Sequence, residues 1–213
     1  PAVWVHYPTI RAENWLLQFA DAPAQFSDMT PRSIAVDSAG LPHIAYGKDH
    51  LYHAFFNGTE WQTEIVDPSA PAGTHASIAV DDDGRVHIGY RDGGGLSLKY
   101  ATNLSGSWQQ TTVDSSGDVG RYASITLGAA GAVHISYYDA ANGDLKYASA
   151  PSPTDAWTVE TVDSAGNVGQ FSSIAVDSAD RPHIVYYDAD NFDLNYAGNP
   201  SGVWIFETVD SPG

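Results

Sequence analysis

A repeat of about 47 residues constrains this chain more than any other feature, and it shows in three independent series. Tryptophans stand at Trp15, Trp61, Trp108, Trp157 and Trp204, spaced by 46, 47, 49 and 47 residues. Six residues after each comes an aspartate: Asp21, Asp67, Asp114, Asp163 and Asp210. Ser33, Ser77, Ser124 and Ser173 each open a Ser-Ile-x-hydrophobic run. Ten residues beyond each serine stands a histidine, His43, His87, His134 or His183, followed by Ile-x-Tyr.

Within one unit the residues read as four short strands: Ser173-Ile-Ala-Val-Asp177, His183-Ile-Val-Tyr-Tyr187, Asp193-Leu-Asn-Tyr-Ala197 and Trp204-Ile-Phe-Glu-Thr-Val209. Val, Ile, Tyr and Thr dominate these runs, and Gly, Asp, Asn, Ser and Pro bound them. Segments such as Asp37-Ser-Ala-Gly40 and Asp92-Gly-Gly-Gly95 supply tight hairpin turns, where glycine takes positive φ without steric cost. No window carries a helical apolar period.

Hairpin-linked strands repeated at this length predict an all-β fold, a β-propeller of four-stranded antiparallel blades. A β-helix needs much shorter rungs, and an immunoglobulin-like sandwich does not repeat its strands at this period. The first two strands of the unit occur four times and the last two five times, because 3–7 and 15–20 add a pair at the start. The expected layout is one propeller domain: a half-blade over 1–32 and blades over approximately 33–76, 77–123, 124–172 and 173–213. An incomplete ring exposes strand edges, so further strands, from a continuing chain or by self-assembly with a second one, are expected to complete it.

Composition narrows the function. With 26 acidic against 9 basic residues the net charge is −17, which repels polyanions and argues against nucleic-acid binding. No stretch approaches the ~20 apolar residues of a membrane-spanning helix. With no cysteine there is no disulfide framework, thiolate metal site or cysteine nucleophile. The sequence opens at Pro1 without a basic-apolar leader. No Ser-His-Asp order, HExxH, phosphate loop or haem motif appears.

The motif Ser-Ile-Ala-Val-Asp-x-x-Gly-x-x-His-Ile-x-Tyr, then Asp-Leu-x-Tyr-Ala, then Trp-x-x-x-x-Val-Asp resembles the tandem propeller repeats of secreted and surface-anchored bacterial proteins. That resemblance implies an extracellular or cell-surface protein. A more distant likeness is to the Asp-box hairpin of sialidases, mimicked at Asp37 to Gly40 and Asp81 to Gly84. Pro-His or Val-His replaces the Thr-Trp of that box, and no arginine triad matches. Lectin propellers share the architecture but not the motif.

Residues repeated in every unit are expected to build blades. The four histidines should tie turn to strand through a backbone carbonyl or a repeat aspartate, and the tryptophans should pack on a neighbouring strand or blade. Asp188, Asp190 and Asp193 place alternate carboxylates in one loop, a pattern that can wrap calcium. Connections from the fourth strand of one unit to the first of the next vary most, and they share a face with the second-to-third turns. A ligand site there would draw on Arg91, Asp92, Arg121, Tyr122, Tyr138, Asp139, Gln170, Tyr187 and Asp188, which suit sugars or peptides. The expected function is a non-catalytic extracellular module for glycan or protein binding. A polysaccharide hydrolase or lyase and an architectural subunit are the alternatives.

Overall fold

The computed structural model describes residues 32–47 and 49–211. Among them, sixteen strands form four antiparallel sheets, each of four strands in sequence order. Blade 1 holds β1 (Ile34–Val36), β2 (Pro42–Gly47), β3 (Leu51–Phe56) and β4 (Trp61–Asp67). Blade 2 holds β5 (Ala72–Val80), β6 (Val86–Asp92), β7 (Ser97–Thr102) and β8 (Gln109–Asp114). Blade 3 holds β9 (Val119–Leu127), β10 (Val133–Asp139), β11 (Asp144–Ala150) and β12 (Thr158–Asp163). Blade 4 holds β13 (Val168–Val176), β14 (Pro182–Asp188), β15 (Asp193–Gly198) and β16 (Ile205–Asp210). The half-blade expected over 1–32 lies outside the described residues, apart from Arg32.

Each blade is a twisted sheet with two apolar faces, so its core must form against its neighbours. Leu51 and Val66 of blade 1 pack with Ile78, Ile88 and Tyr90 of blade 2. Leu98 and Tyr100 pack with Ile125, Ile135 and Tyr137 of blade 3, and Leu145 and Tyr147 with Ile174, Ile184 and Tyr186 of blade 4. β10, with a blade on either side, is buried along its whole length. Leu194, the blade 4 counterpart of the fully buried Leu51, Leu98 and Leu145, is 43% exposed. Radial stacking of hairpin-built sheets is the β-propeller arrangement the repeat predicts.

The repeated residues are the fasteners between blades. The last aspartate of one blade accepts from a phenol and an ammonium of the next. Asp67 receives the Tyr90 hydroxyl at 2.6 Å and Lys99 Nζ at 3.2 Å. Asp114 receives Tyr137 at 2.7 Å and Lys146 at 2.5 Å. Asp163 receives Tyr186 at 2.6 Å, and Asn195 stands in the lysine's place. Burial pushes the Asp67 and Asp114 carboxyls up, but their donors outweigh it and hold both at about 2.

Trp108, Trp157 and Trp204 pack on His53, Tyr100 and Tyr147, the third-strand aromatics of the preceding blades, with centroids 5.5, 5.2 and 5.4 Å apart. Trp204 Nε1 also donates to Glu160 at 3.0 Å. The first strands lie side by side at the axis. There Ser77 Oγ accepts from the Ile125 amide at 3.1 Å and Ser124 Oγ from the Ile174 amide at 3.2 Å. Arg32 reaches from the edge of blade 1 to Ser173 and the Ile174 carbonyl of blade 4.

The histidines are structural, with a different partner from the one expected. Nδ1 of His87, His134 and His183 pairs with the hydroxyl of Tyr100, Tyr147 or Tyr196 at 2.6 Å. The aspartates of the first hairpin turns stay 3.6 to 3.8 Å from Nε2 of His43, His87 and His183. In blade 1 a second histidine replaces the tyrosine, giving a His43–His53 contact of 2.9 Å that continues to Glu64 at 3.0 Å.

Candidate functional site

The first strand of blades 2, 3 and 4 starts five residues before its serine, at Ala72, Val119 and Val168. The stretches Ala72 to His75, Asp118 to Tyr122 and Asn167 to Phe171, expected as loops, therefore lie largely inside strands. Gly73, Gly120 and Gly169 explain the mistaken reading. Each holds positive φ, and a Cβ there would stand 2.8, 3.0 or 2.6 Å from the Cα of Leu51, Leu98 or Leu145 in the preceding blade. Glycine is required because one backbone crosses directly over another.

Two residues on, the strand bulges. Thr74 pairs with Arg91, but the next pair is Ser77 with Gly89, so the first strand carries an extra residue; blades 3 and 4 do the same. The bulge places His75, Tyr122 and Phe171 in the left-handed region, with φ of 53°, 55° and 55°. An aromatic side chain there costs of order 1 kcal/mol or more, and such strain concentrates at functional sites.

These three residues form a continuous aromatic row. Tyr122 lies 5.0 Å from His75 and 4.4 Å from Phe171, ring centroid to ring centroid. Tyr138 adjoins Tyr122 at 6.1 Å, and Tyr187 adjoins Phe171 at 6.3 Å. Phe171 is 63% exposed, and His75, Tyr122 and Tyr187 are half-buried. A soluble fold leaves few such rings together at its surface without a use for them.

Polar groups line the seams beside the row. Between blades 2 and 3, Arg91 donates through Nε and Nη2 to Asp118 Oδ1 at 3.1 and 2.7 Å, and Arg121 Nη2 donates to Asp118 Oδ2 at 2.6 Å. Burial pushes the Asp118 carboxyl up, yet the two guanidinium hydrogen bonds hold it below the ordinary range. Between blades 3 and 4 the same positions are neutral: Tyr138 donates to Asn167 Oδ1 at 2.6 Å and Gln170 Nε2 to the same oxygen at 3.2 Å.

Of the residues singled out from the sequence, the structure brings Arg91, Arg121, Tyr122, Tyr138, Gln170 and Tyr187 to this face. It assigns Asp92, Asp139 and Asp188 a different task. Each caps its own second-to-third turn, accepting from the amides of Gly94 and Gly95, Ala141 and Asn142, or Asp190 and Asn191. Those turns also bind the incoming first strand: the amides of Gly93, Ala140 and Ala189 donate to the carbonyls of Pro71, Asp118 and Asn167.

Asp188, Asp190 and Asp193, the residues expected as a possible calcium loop, do not form a converging cluster here. Asp188 is a turn cap, Asp190 Oδ2 accepts the Asn167 amide at 2.8 Å, and among the described residues no three acidic or histidine side chains converge as a metal site. Asx-turn hydrogen bonding accounts for the Asp188 carboxylate, and a contact to the incoming first strand for that of Asp190. His75, Phe171, Asp118 and Asn167 were missed. The signal was present: an aromatic two residues before the serine in three successive units, at His75, Tyr122 and Phe171.

No family model matches the chain, and no curated protein matches it by sequence. Its backbone is similar to that of solved structures at low identity. A protein of unknown function from Dyadobacter fermentans superposes with a TM-score of 0.62 at 12% identity, covering 84% of this chain and 64% of that one. A polysaccharide lyase of the ulvan lyase type gives 0.60 at 16% identity, over 89% of this chain and 60% of that one. The fucose-binding lectin from Aleuria aurantia, a six-bladed β-propeller, gives 0.51 at 16% identity, over 84% and 60%. The chain thus spans about three-fifths of the length of these structures, and what it shares with them is the propeller fold.

Proposed function

We propose that the chain is a non-catalytic glycan-binding propeller module whose site is the aromatic row His75–Tyr122–Phe171. The single observation that carries this reading is the strained, partly exposed state of those rings, repeated in three blades. A pyranose presents an apolar C–H face that an aromatic ring can cover, and its hydroxyls need donors and acceptors at the rim. Arg121, Gln170 and Asn167 provide such groups within the same seams.

The state of the carboxylates beside the aromatic row favours binding over hydrolysis; the one carboxyl among the described residues raised by burial and by Asp139, that of Asp144, belongs to a second-to-third turn. Hydrolysis of a glycosidic bond calls for one carboxyl kept protonated opposite an ionised one. Here Asp118 is ionised against two arginines, and Asp92 and Asp188 lie below the ordinary range through their lysine or turn donors despite the opposing push of burial. The lectin and lyase likeness supports the carbohydrate class at the level of fold only. An extracellular or cell-surface setting accords with where polymeric glycans are met.

A glycan array run beside polysaccharide turnover assays tests the proposal. Binding without product formation is the expected outcome. Product formation, or an empty array with correctly folded protein, contradicts it.

A further inference from the structure

The tyrosine and aspartate that latch one blade to the next are constant between blades, whereas the positions beside the aromatic row are not. Tyr90, Tyr137 and Tyr186, and Asp67, Asp114 and Asp163, recur unchanged at every described seam. The three positions that meet at the row read Gly47, Pro71 and Thr74 at the first seam. They read Arg91, Asp118 and Arg121 at the second, and Tyr138, Asn167 and Gln170 at the third. Blade closure therefore does not dictate their chemistry, since three different sets occupy one geometry.

We infer that the row reads a chemically polar ligand: an acidic saccharide unit, bearing a carboxylate or sulfate, at the Arg91–Asp118–Arg121 seam, next to a neutral unit at the Tyr138–Asn167–Gln170 seam. This rests on the glycan-binding reading and goes beyond it by naming the ligand class and its direction. At the second seam two guanidiniums face one carboxylate, which leaves one positive charge uncompensated within the cluster. That is conspicuous on a chain of net charge −17. Arg121 contacts Asp118 through Nη2, its side chain is 42% exposed, and a guanidinium carries five N–H groups, so donors remain for an anionic ligand. Tyr122 adjoins both seams, because its ring touches His75, Tyr138 and Phe171. Two sugar units side by side would share it. The third seam offers two amides and a phenol, which suit hydroxyls and favour no charge.

The test compares an oligouronate with a neutral oligosaccharide of equal length by calorimetric titration, at low salt and at roughly 0.5 M salt, where charge attraction is screened. Wild-type protein is expected to prefer the oligouronate, and the preference should shrink with salt. Arg121→Gln, which converts the position to the residue used at the third seam, is expected to weaken oligouronate binding about tenfold or more and leave neutral binding within about twofold. The variant Gln170→Arg adds a guanidinium with no new carboxylate to the third seam and should raise acidic preference there, which guards against a misfolded single variant. Equal binding of both sugars, or a preference that Arg121→Gln does not change, overturns the inference and leaves glycan binding intact. No binding of either sugar, with an empty array, removes the functional reading itself.

Discussion

The hydroxyl of Tyr137 donates to the carboxylate of Asp114 at 2.7 Å across the seam between blades 2 and 3, where Lys146 joins the same oxygen. Two blades are thereby locked by a buried, fully partnered acid rather than by apolar contact alone. Removing one member leaves the others buried with a missing partner, which costs more than the bond contributes. Tyr137→Phe is expected to lower stability by about 1–2 kcal/mol in denaturant unfolding. Asp114→Ala should cost more, because it strands both donors.

Acid sensitivity follows from the same latch. Asp67 and Asp114 are held at about 2 in the folded chain, below the carboxylate's ordinary 3.8. A group depressed by folding stabilises above its unfolded pKa, and that contribution is lost as pH falls from about 4 towards 2. Melting temperature should drop steeply across this window. The double variant D67N/D114N should start lower at neutral pH and show a shallower acid slope.

A second pH dependence comes from imidazoles. Burial lowers the pKa of His53, His87 and His134 below the ordinary 6.5. The unfolded chain then takes up protons that the folded chain refuses, so stability is lost as pH falls below about 6.5. His53→Tyr installs the residue that blades 2 to 4 carry at this position and should reduce the slope of stability against pH between about 6.5 and 5.

Gly120 and Gly106 separate two kinds of glycine. Both hold positive φ, 90° and 81°, but a Cβ at Gly120 would stand 3.0 Å from Leu98 Cα, whereas Gly106 has open space. Gly106→Ala should cost only the backbone strain, about 1 kcal/mol. Gly120→Ala must also push two blades apart and should cost distinctly more by thermal unfolding.

Much of the fold was legible because blade-building residues recur. The Trp, Ser and His series marked the strands within a few residues, and Trp108, Trp157 and Trp204 pack on neighbouring blades as their repetition implied. The site was less legible, for physical reasons. Asp92, Asp139 and Asp188 looked like ligand groups because the residue that caps an Asx turn is also the one that contacts sugars or calcium. Gly73, Gly120 and Gly169 looked like loop residues because a close backbone crossing inside a strand demands the same residue as a turn. The histidines' tyrosine partners lie on the adjacent strand, a pairing set by register rather than by local sequence.

Titration of the glycan found on the array into wild-type protein and Phe171→Gly tests the central claim most directly. Glycine relieves the left-handed backbone while deleting the exposed ring, so stability should stay within about 1 kcal/mol of wild type. The aromatic row predicts that this well-folded variant binds at least about tenfold more weakly. Unchanged affinity would show that the ligand sits elsewhere and that the strained aromatics serve the fold alone.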